Sequence, residues 1–248
     1  MSENEAVSSL SRRAFLAAAA GAATVSLSAC VSVPSEPRPN AFVEPEPVIP
    51  PGSNREMYAA MVDDGHEIPA VPIESIDPQF LRQEVSDPTG ETPGTIVVDT
   101  SQHFLYLVRE GGRAMRYGVG LGRAGFEWSG RAEIARKQAW PKWYPPAEMI
   151  DREPDLEKYR PEYDKASGEW RGGMEGGIMN PLGARALYIY EDGKDTLYRV
   201  HGSPEWWTIG KSVSSGCVRM LNQDAIDLYG RVPVGSPILV TSGLEITV

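Results

Sequence analysis

Two side chains capable of covalent catalysis lie in the stretch from His201 to Met220, which reads HGSPEWWTIGKSVSSGCVRM. Cys217 attacks as a thiolate, and a cysteine with an ordinary pKa of about 8.5 needs a base or a positive neighbour near neutral pH. His201 is a suitable base. The two residues are too far apart in the sequence to be neighbours on a helix. The fold must therefore bring them together, and a strand that leads into His201 would do so.

The residues before the cysteine indicate an exposed nucleophile. Ser214, Ser215 and Gly216 precede Cys217, and a glycine here allows a tight turn and leaves room for a substrate to approach the sulfur. The backbone N–H groups of this loop lie beside the reacting atom, so we expect them to stabilise an oxyanion. Arg219 follows two residues later, and it either steers a substrate carboxylate or braces the loop.

The composition argues against metal and nucleic-acid chemistry. The chain has three scattered histidines and two cysteines, without the spacing of a metal site, so we expect no metal and no cofactor. The formal net charge is −10. Proteins that bind phosphate backbones concentrate Lys and Arg instead, so no nucleic-acid partner is expected.

Three motifs follow one another in the second half of the chain. They are Asn180-Pro181-Leu182-Gly183 with Ala186-Leu187, then His201-Gly202, then Ser214-Ser215-Gly216-Cys217-Val218-Arg219-Met220. Together they resemble the L,D-transpeptidase catalytic domain family (YkuD type), over roughly Thr95 to Val240. The resemblance implies a mainly β domain of β-sandwich or barrel-like form, with few short helices and a long irregular lid-like insertion. Ser215 stands where many relatives carry His or Arg, so that positive charge is missing beside the sulfur.

The resemblance also implies a substrate, the stem peptide of peptidoglycan. Cys217 would cleave it between the L-centre of a diamino acid and the following D-alanine, and the side-chain amine of a second stem would accept the acyl group in a 3-3 cross-link. Water as acceptor would give a carboxypeptidase or a hydrolase that detaches wall-bound proteins. A lysine of a wall-anchored lipoprotein is a further possible acceptor. A non-catalytic wall-binding lipoprotein is the alternative of a different class, and the presence of both His201 and Cys217 argues against it.

Further substrate contacts are expected around the nucleophile. In the resembled family, Asn180 and Gly202 belong to the motifs, and the region before the Asn-Pro-Leu-Gly motif helps to cover the cleft. Here that region, from Gly122 to Gly177, is predicted as a long irregular insertion and functional lid. We therefore expect Trp143 and Tyr144 to contact the substrate, while packing in a satellite core is the alternative for any one of these aromatics.

Hydrophobic periodicity predicts the strands of the domain. They are Thr95–Val98, Phe104–Val108, Met115–Leu121, Ala186–Tyr190, Thr196–Val200 and Ile238–Thr241. A helix is predicted after Asn222, its N-cap, and is expected to end at Tyr229. No alternation of parallel strands and helices is visible, which disfavours a Rossmann-like fold.

The N-terminus predicts export. Arg12 and Arg13 precede an apolar run from Ala17 to Ala29, which is too short to span a bilayer stably and resembles a twin-arginine signal. The run closes with Leu27-Ser28-Ala29-Cys30, which resembles a lipobox. We therefore expect Cys30 to be lipidated, since two acyl chains give a stable anchor. Ordinary signal cleavage nearby is the alternative.

The predicted organisation has four parts. Residues 1–29 form the signal, 30–56 a proline-rich tether, 57–94 an extended arm and 95–248 the catalytic domain. The tether would reach about 80 Å as polyproline II. Apolar residues are expected to pin the arm to the domain: Ile68, Val71, Ile73, Ile76 and Phe80. Val31 after the lipidated cysteine is not an inner-membrane retention signal, so we expect a periplasmic enzyme whose membrane contact is a lipid anchor in the outer membrane.

Overall fold

A computed structural model describes residues 54–122, 128–214 and 216–244. The predicted signal, Cys30, most of the tether and Ser215 lie outside the described residues. By its contacts the chain divides into Met1–Val43 and Glu44–Val248, and all described residues belong to the second unit. The last three residues assigned to the tether, 54–56, are instead helical.

Strands dominate the described residues, and the helices are short. The strands are β1 (Met61–Asp63), β2 (His66–Ile68), β3 (Gln83–Ser86), β4 (Ile96–Asp99), β5 (Phe104–Arg109), β6 (Arg113–Gly118), β7 (Leu121–Gly122), β8 (Gly130–Ala139), β9 (Glu162–Asp164), β10 (Glu169–Arg171), β11 (Arg185–Glu191), β12 (Lys194–Ser203), β13 (Ser212–Ser214), β14 (Val218–Leu221) and β15 (Pro237–Thr241). The α-helices are α1 (Asn54–Met57), α2 (Ala147–Arg152) and α3 (Asn222–Arg231). The prediction of a mainly β fold is confirmed. In the part of the chain described, no helix is long and apolar enough to cross a membrane.

Nine strands form one mixed sheet in the order β14-β12-β11-β8-β15-β4-β5-β6-β3. The pairs β12–β14 and β15–β4 are parallel, and the other neighbours are antiparallel. Beyond β6, Gly120 forms a β-bridge with Arg219 of β14. Gly120 follows β6, which lies next to one edge of the sheet, whereas β14 forms the other edge. The bridge brings these two sides of the sheet together, so the sheet curls in a barrel-like manner.

The main core is built from apolar side chains of both halves of the sheet and of α3. In β4, Ile96 and Val98 join this core, whereas Val97 between them packs in a second cluster with Phe104 and Tyr106. Successive side chains of a strand face opposite sides, so both faces of this part of the sheet are buried. This explains why β4 reads as a continuous apolar run.

Helix α3 differs from its prediction at both ends. Asn222 was predicted as the N-cap, but it is the first helical residue, and its Oδ1 accepts a hydrogen bond from the backbone N–H of Ala184 at 2.9 Å. The helix continues past Tyr229 to Arg231. Lys137 Nζ donates to the carbonyl oxygen of Tyr229 at 2.6 Å, which satisfies one of the carbonyl groups that a helix end leaves without a helical partner.

Strand β8 lies inside the segment that was predicted to be irregular. It is ten residues long and pairs with β11 and β15 in the middle of the sheet. Its sequence, GRAEIARKQA, is charged, and its one β-branched residue, Ile134, is buried. The prediction was wrong because pairing on both sides, rather than local propensity, defines this strand. The remainder of the insertion holds α2 and the β9–β10 hairpin.

The arm segment packs closely on the domain. Strand β3 pairs with β6 at the edge of the main sheet. Val71, Ile73, Ile76 and Phe80 pack in a third cluster with Leu221. The arm therefore covers the side of the fold on which α3 begins.

Candidate active site

His201 lies on β12, and Cys217 immediately precedes β14, which pairs with β12. The two strands are parallel, with Val200 opposite Val218 and His201 opposite Arg219. Val200 and Val218 are fully buried in the main core. Because side chains alternate between the faces of a sheet, His201 and Arg219 point to the other face. Cys217 lies one residue before Val218 and two before Arg219, so the strand pattern turns it toward that same face.

Arg199 links the two candidate catalytic residues. Its backbone forms a hydrogen bond with the Cys217 thiol, as expected for the residue one position before Val200 in the ladder. The positive charges of Arg199 and Arg219 act on both the thiol and the imidazole of His201. The predicted nucleophile and the predicted base therefore share the same two cations.

Cys217 is half-buried. Burial raises the pKa of its thiol, while the hydrogen bond from Arg199 and the charges of Arg199 and Arg219 oppose this rise. Gly216 has a φ of +126°, a backbone conformation that side chains other than glycine rarely adopt. The glycine that the sequence placed before the nucleophile is therefore required by the backbone turn.

His201 is buried, with 4% of its surface exposed. Its Nδ1 lies 2.6 Å from the carbonyl oxygen of Gly202. A carbonyl oxygen only accepts hydrogen bonds, so Nδ1 carries the proton and Nε2 is left as the acceptor that a general base needs. Burial lowers the pKa of His201 to about 4, against the raising effect of the Gly202 carbonyl. The imidazole is therefore neutral at neutral pH.

Two motif glycines are required by close packing. A Cβ on Gly202 would lie 2.3 Å from Oδ1 of Asn222, and one on Gly183 would lie 2.2 Å from the same atom. Gly183 also has a φ of +59°. The His-Gly and Asn-Pro-Leu-Gly motifs thus meet at Asn222, where no side chain fits. Gly202 was expected to contact substrate, but it is buried, and what it offers the site is the carbonyl that orients His201.

Asn180 is 1% exposed and its amide bonds to backbone groups. Nδ2 donates to the carbonyl oxygens of Pro141, Met174 and Glu175 at 2.9, 3.2 and 3.1 Å. Oδ1 accepts from the N–H of Leu182 at 2.8 Å. These bonds join the insertion to the turn before β11, so this geometry favours a positioning role for Asn180 over the direct substrate contact that was expected.

The loop before Cys217 is held from two sides. Strand β13, which ends with Ser214, pairs with β7 in parallel. The backbone of Arg219 exchanges two hydrogen bonds with Gly120, at 2.8 and 2.9 Å. The guanidinium of Arg219 forms an ion pair with Glu205. Of the two roles left open for Arg219, these contacts favour bracing of the loop.

The two aromatic residues expected to bind substrate occupy different positions. Trp143 is bonded through its backbone to Met174, with N···O distances of 2.9 and 2.7 Å, and it joins the segment that follows β8 to the segment that precedes β11. The side chain of Tyr144 is 38% exposed and lines a cavity of about 610 Å³.

This cavity lies between the insertion and the sheet. Its lining comes from β8, β11, β12 and the insertion: Arg136, Gln138, Lys142, Tyr144, Pro161, Trp170, Tyr188, Asp195, Leu197 and Arg199. Sequence reasoning missed Arg136, Tyr188 and Arg199. A signal for Arg199 was present, since it precedes His201 by two residues on a strand. Arg136 could not be found because β8 was not predicted. Among the described residues, no three His, Cys, Asp or Glu side chains are grouped to hold a metal ion.

A family model described as the L,D-transpeptidase catalytic domain, YkuD, matches residues 93–240. The match covers more than half of the 248-residue chain and includes both His201 and Cys217. The chain belongs to the L,D-transpeptidase catalytic domain family. The match thus includes the insertion, α3 and the strands of the main sheet except β3, which belongs to the arm.

Individual relatives of this L,D-transpeptidase chain carry the family name. A probable L,D-transpeptidase of Escherichia coli, YbiS, is 33% identical over 146 residues, which is 57% of this chain and 42% of that protein. A probable L,D-transpeptidase of Salmonella typhimurium, ErfK/SrfK, is 32% identical over 150 residues, 58% of this chain and 43% of that protein. The chain therefore spans less than half of the length of these curated relatives.

One solved structure is more similar in sequence. It is named a probable carnitine operon oxidoreductase, caia, from Brucella melitensis, and it is 44% identical, with a match that covers 71% of this chain and 98% of that one. The TM-score is 0.43.

Proposed function

We propose that this L,D-transpeptidase family member transfers peptidoglycan stem peptides through a thioester on Cys217. The observation that carries the proposal is the placement of His201 on β12 and of Cys217 immediately before the parallel neighbour β14, beside the same two arginines, with Nε2 as the acceptor nitrogen of the imidazole. In acylation, Cys217 Sγ bonds to the carbonyl carbon as its proton passes to His201 Nε2. The C–N bond then breaks, and the proton goes to the leaving amine of D-alanine.

The resting pair is neutral in this proposal. Burial raises the pKa of Cys217 and lowers that of His201, so both shifts disfavour a thiolate beside an imidazolium. Proton transfer therefore accompanies the attack on the carbonyl. The guanidiniums of Arg199 and Arg219 oppose the rise of the thiol pKa and would stabilise negative charge as it develops on sulfur.

The backbone N–H groups of Gly216 and Cys217 are the proposed oxyanion donors. Gly216 adopts its left-handed turn immediately before the nucleophile, which supports donors aimed at the reacting carbonyl. Ser214 ends β13 shortly before this turn, and Ser215 lies outside the described residues. We assign Asn180, Gly202 and Trp143 to positioning, and Tyr144 to the wall of the substrate cavity.

In deacylation, the side-chain amine of a second stem attacks the thioester and forms a 3-3 cross-link, with release of the Cys217 thiol. Water or a lysine of a wall-anchored lipoprotein would use the same acyl-enzyme, because acylation precedes the choice of acceptor. The identity of the product therefore separates a transpeptidase from a carboxypeptidase, from a hydrolase and from an enzyme that attaches lipoproteins.

The deciding experiment incubates the protein with purified tetrapeptide stems and identifies the products by mass. We expect release of D-alanine and a cross-linked dimer. Cys217→Ala should abolish both while the fold is retained, and Cys30→Ser, which changes the other cysteine, should leave both unchanged. A carbapenem should add once to the protein, on Cys217. Normal product formation by a folded Cys217→Ala protein would reject the nucleophile.

For the location we propose export by the twin-arginine signal and anchoring through a lipidated Cys30. The support is the sequence alone, since these residues lie outside those described. On fractionation, the mature protein should remain with the outer membrane, and Cys30→Ser should release an active soluble enzyme. A mature protein that is soluble and begins at another residue would remove the anchor and leave the proposed chemistry intact.

A further inference from the structure

A row of three side chains crosses the floor of the cavity. Tyr188 of β11 is opposite Arg136 of β8 on one side and opposite Arg199 of β12 on the other. The guanidinium carbons lie 4.7 Å (Arg136) and 4.5 Å (Arg199) from the centroid of the Tyr188 ring. The buried tyrosine ring therefore holds two cations beside the cavity.

The two guanidiniums differ in their partners. Arg199 donates to both carboxylate oxygens of Asp195, at 2.7 and 2.9 Å. Arg136 is exposed and donates to the neutral side-chain oxygen of Gln138 at 3.2 Å. Within residues 54–122, 128–214 and 216–244, no carboxylate lies within ion-pair distance of Arg136. The cavity wall therefore presents a cation whose charge is not neutralised nearby, in a protein whose formal net charge is −10.

This cation lies close to the catalytic face. The next row along the same strands consists of Gln138, Ala186, His201 and Arg219. Cys217 lies opposite Arg199 and so continues the row of Arg136, Tyr188 and Arg199. Three strand spacings separate the backbones of Arg136 and Cys217, which is about 14 Å. The long side chain of Arg136 extends over Tyr188 and shortens this gap, so a substrate carboxylate near the scissile bond can reach the guanidinium.

We propose that Arg136, held against Tyr188, binds a carboxylate that the peptide substrate carries within one or two residues of its scissile bond. Arg136 is then a specificity-determining residue of the transferase, and the inference rests on the function proposed above. Two carboxylates of a stem peptide meet this description: the C-terminal carboxylate of the leaving D-alanine and a carboxylate on the side chain of the diamino acid. An arginine stacked on a ring suits either one, because its planar guanidinium can bind a carboxylate through two parallel N–H groups.

The test compares three tetrapeptide stems with wild-type protein and with variants. One stem is unmodified and carries both carboxylates, one is amidated at the C-terminus, and one is amidated at the diamino-acid side chain. We expect wild-type kcat/KM to fall about tenfold or more for one of the two amides, mainly through KM. Arg136→Gln should process the unmodified stem no faster than the stem amidated at that position. Its kcat/KM for the amidated stem should equal that of wild type. Arg136→Lys should restore part of the preference.

Arg131→Gln is the matched control. Arg131 lies on the same strand and its loss changes the net charge equally, but its guanidinium is paired with Glu91 at 2.6 Å. This variant should keep the wild-type preference. If Arg136→Gln lowers the rates with all three stems equally, or leaves the preference unchanged, the assignment of Arg136 is wrong and the transferase function stands. If wild-type protein processes none of the stems, the transferase function and the carboxylate site fall together.

Discussion

His201 donates a hydrogen bond from Nδ1 to the carbonyl oxygen of the next residue, Gly202, at 2.6 Å. This bond fixes the tautomer and directs Nε2 as the acceptor, which is the task of the third side chain in a catalytic triad. A backbone carbonyl holds its position as long as the local backbone does. The orientation of the base therefore depends on the packing of Gly202 against Asn222 and Ala184.

Gly202→Ala tests this dependence. The new Cβ would lie 2.3 Å from Oδ1 of Asn222 and 3.2 Å from the backbone nitrogen of Ala184, so the backbone must shift and the carbonyl must move with it. We expect a loss of about 1–3 kcal/mol in the free energy of unfolding and a fall in acylation rate of about a hundredfold, as for other small displacements of a catalytic group. Urea denaturation and the rate of thioester formation measure the two effects.

Gly230→Ala is the control for that substitution. Gly230 lies within α3, and a Cβ there would have no neighbour within 4 Å. Alanine is the better helix former, so this variant should be as stable as wild type or more stable by up to about 1 kcal/mol. Full activity in Gly202→Ala would show that the carbonyl does not position the base.

The sequence predicted which residues meet at this site better than it predicted the elements that support them. His201, Gly216 and Cys217 were recognisable because a nucleophile, its base and a turn glycine carry local signals. Strand β8 was not, since a charged strand is defined by its partners β11 and β15. Asn222 was assigned a local capping role, but its side chain contacts Ala184, which is distant in sequence. Local pattern cannot reveal such long-range contacts.

The pH dependence of acylation should reflect a buried base. Burial lowers the pKa of His201 to about 4, below the ordinary value of about 6.5, and only the neutral imidazole accepts the thiol proton. The acid limb of kcat/KM should therefore be centred near pH 4. In His201→Ala the reaction needs the thiolate, so its rate should rise about tenfold per pH unit up to the raised pKa of Cys217.

Circular dichroism at each pH is the control for that profile, because acid unfolding would imitate the loss of a base. An acid limb centred at pH 6.5 or higher in folded wild-type protein would contradict the buried neutral imidazole. An identical profile in His201→Ala would mean that another group takes the thiol proton.

The ion pair between Arg219 and Glu205 is expected to brace the loop that carries Cys217. Both Arg219→Gln and Glu205→Gln should then lower acylation, Arg219→Gln by more because it also removes a cation beside the sulfur. The double variant should be no worse than Arg219→Gln alone. The corresponding coupling is about 0.5–3 kcal/mol. The measurement is a double-mutant cycle on the acylation rate. If Glu205→Gln keeps wild-type activity while Arg219→Gln raises KM, Arg219 binds the substrate instead.

A buried polar cluster fastens the arm to α3. Tyr58 OH donates to Oδ1 of Asp224 at 3.0 Å and accepts from the backbone N–H of Arg82 at 2.6 Å. Arg82 Nη1 lies 2.8 Å from Oδ1 of Asp227, whereas its nearest approach to Asp224 is 3.8 Å. The Arg82 guanidinium thus lies near both carboxylates and is closer to that of Asp227. Burial raises the pKa of Asp224 to about 7, and the charge of Asp227 adds to this effect.

Asp224 should therefore make stability fall as the pH rises. Its pKa in the folded protein exceeds the value of about 3.9 in an unfolded chain, so the folded state holds the proton more tightly. The stabilisation that the protonated Asp224 gives the folded state is fully present below about pH 4. It is lost as the pH rises to about 7, at up to about 1.4 kcal/mol per pH unit. Asp224→Asn keeps the shape of the protonated acid, and its unfolding free energy in urea should be flatter between pH 5 and 7 than that of wild type.

Asp227→Asn provides the opposite case. The pKa of Asp227 is lowered overall, although burial acts to raise it, because hydrogen bonds from Arg231 and Tyr117 and the charge of Arg82 stabilise its carboxylate. The ionised Asp227 therefore stabilises the folded protein at every pH above the pKa of an unfolded aspartate. This stabilisation is lost only as the pH falls below about 4. Between pH 5 and 7, Asp227→Asn should lose about 1–3 kcal/mol in the free energy of unfolding. It should keep part of the wild-type slope, because burial, the main cause of the raised pKa of Asp224, remains while the charge of Asp227 is lost. An Asp224→Asn protein with the full wild-type slope would show that Asp224 is ionised in the fold, with Arg82 shared equally between the two carboxylates.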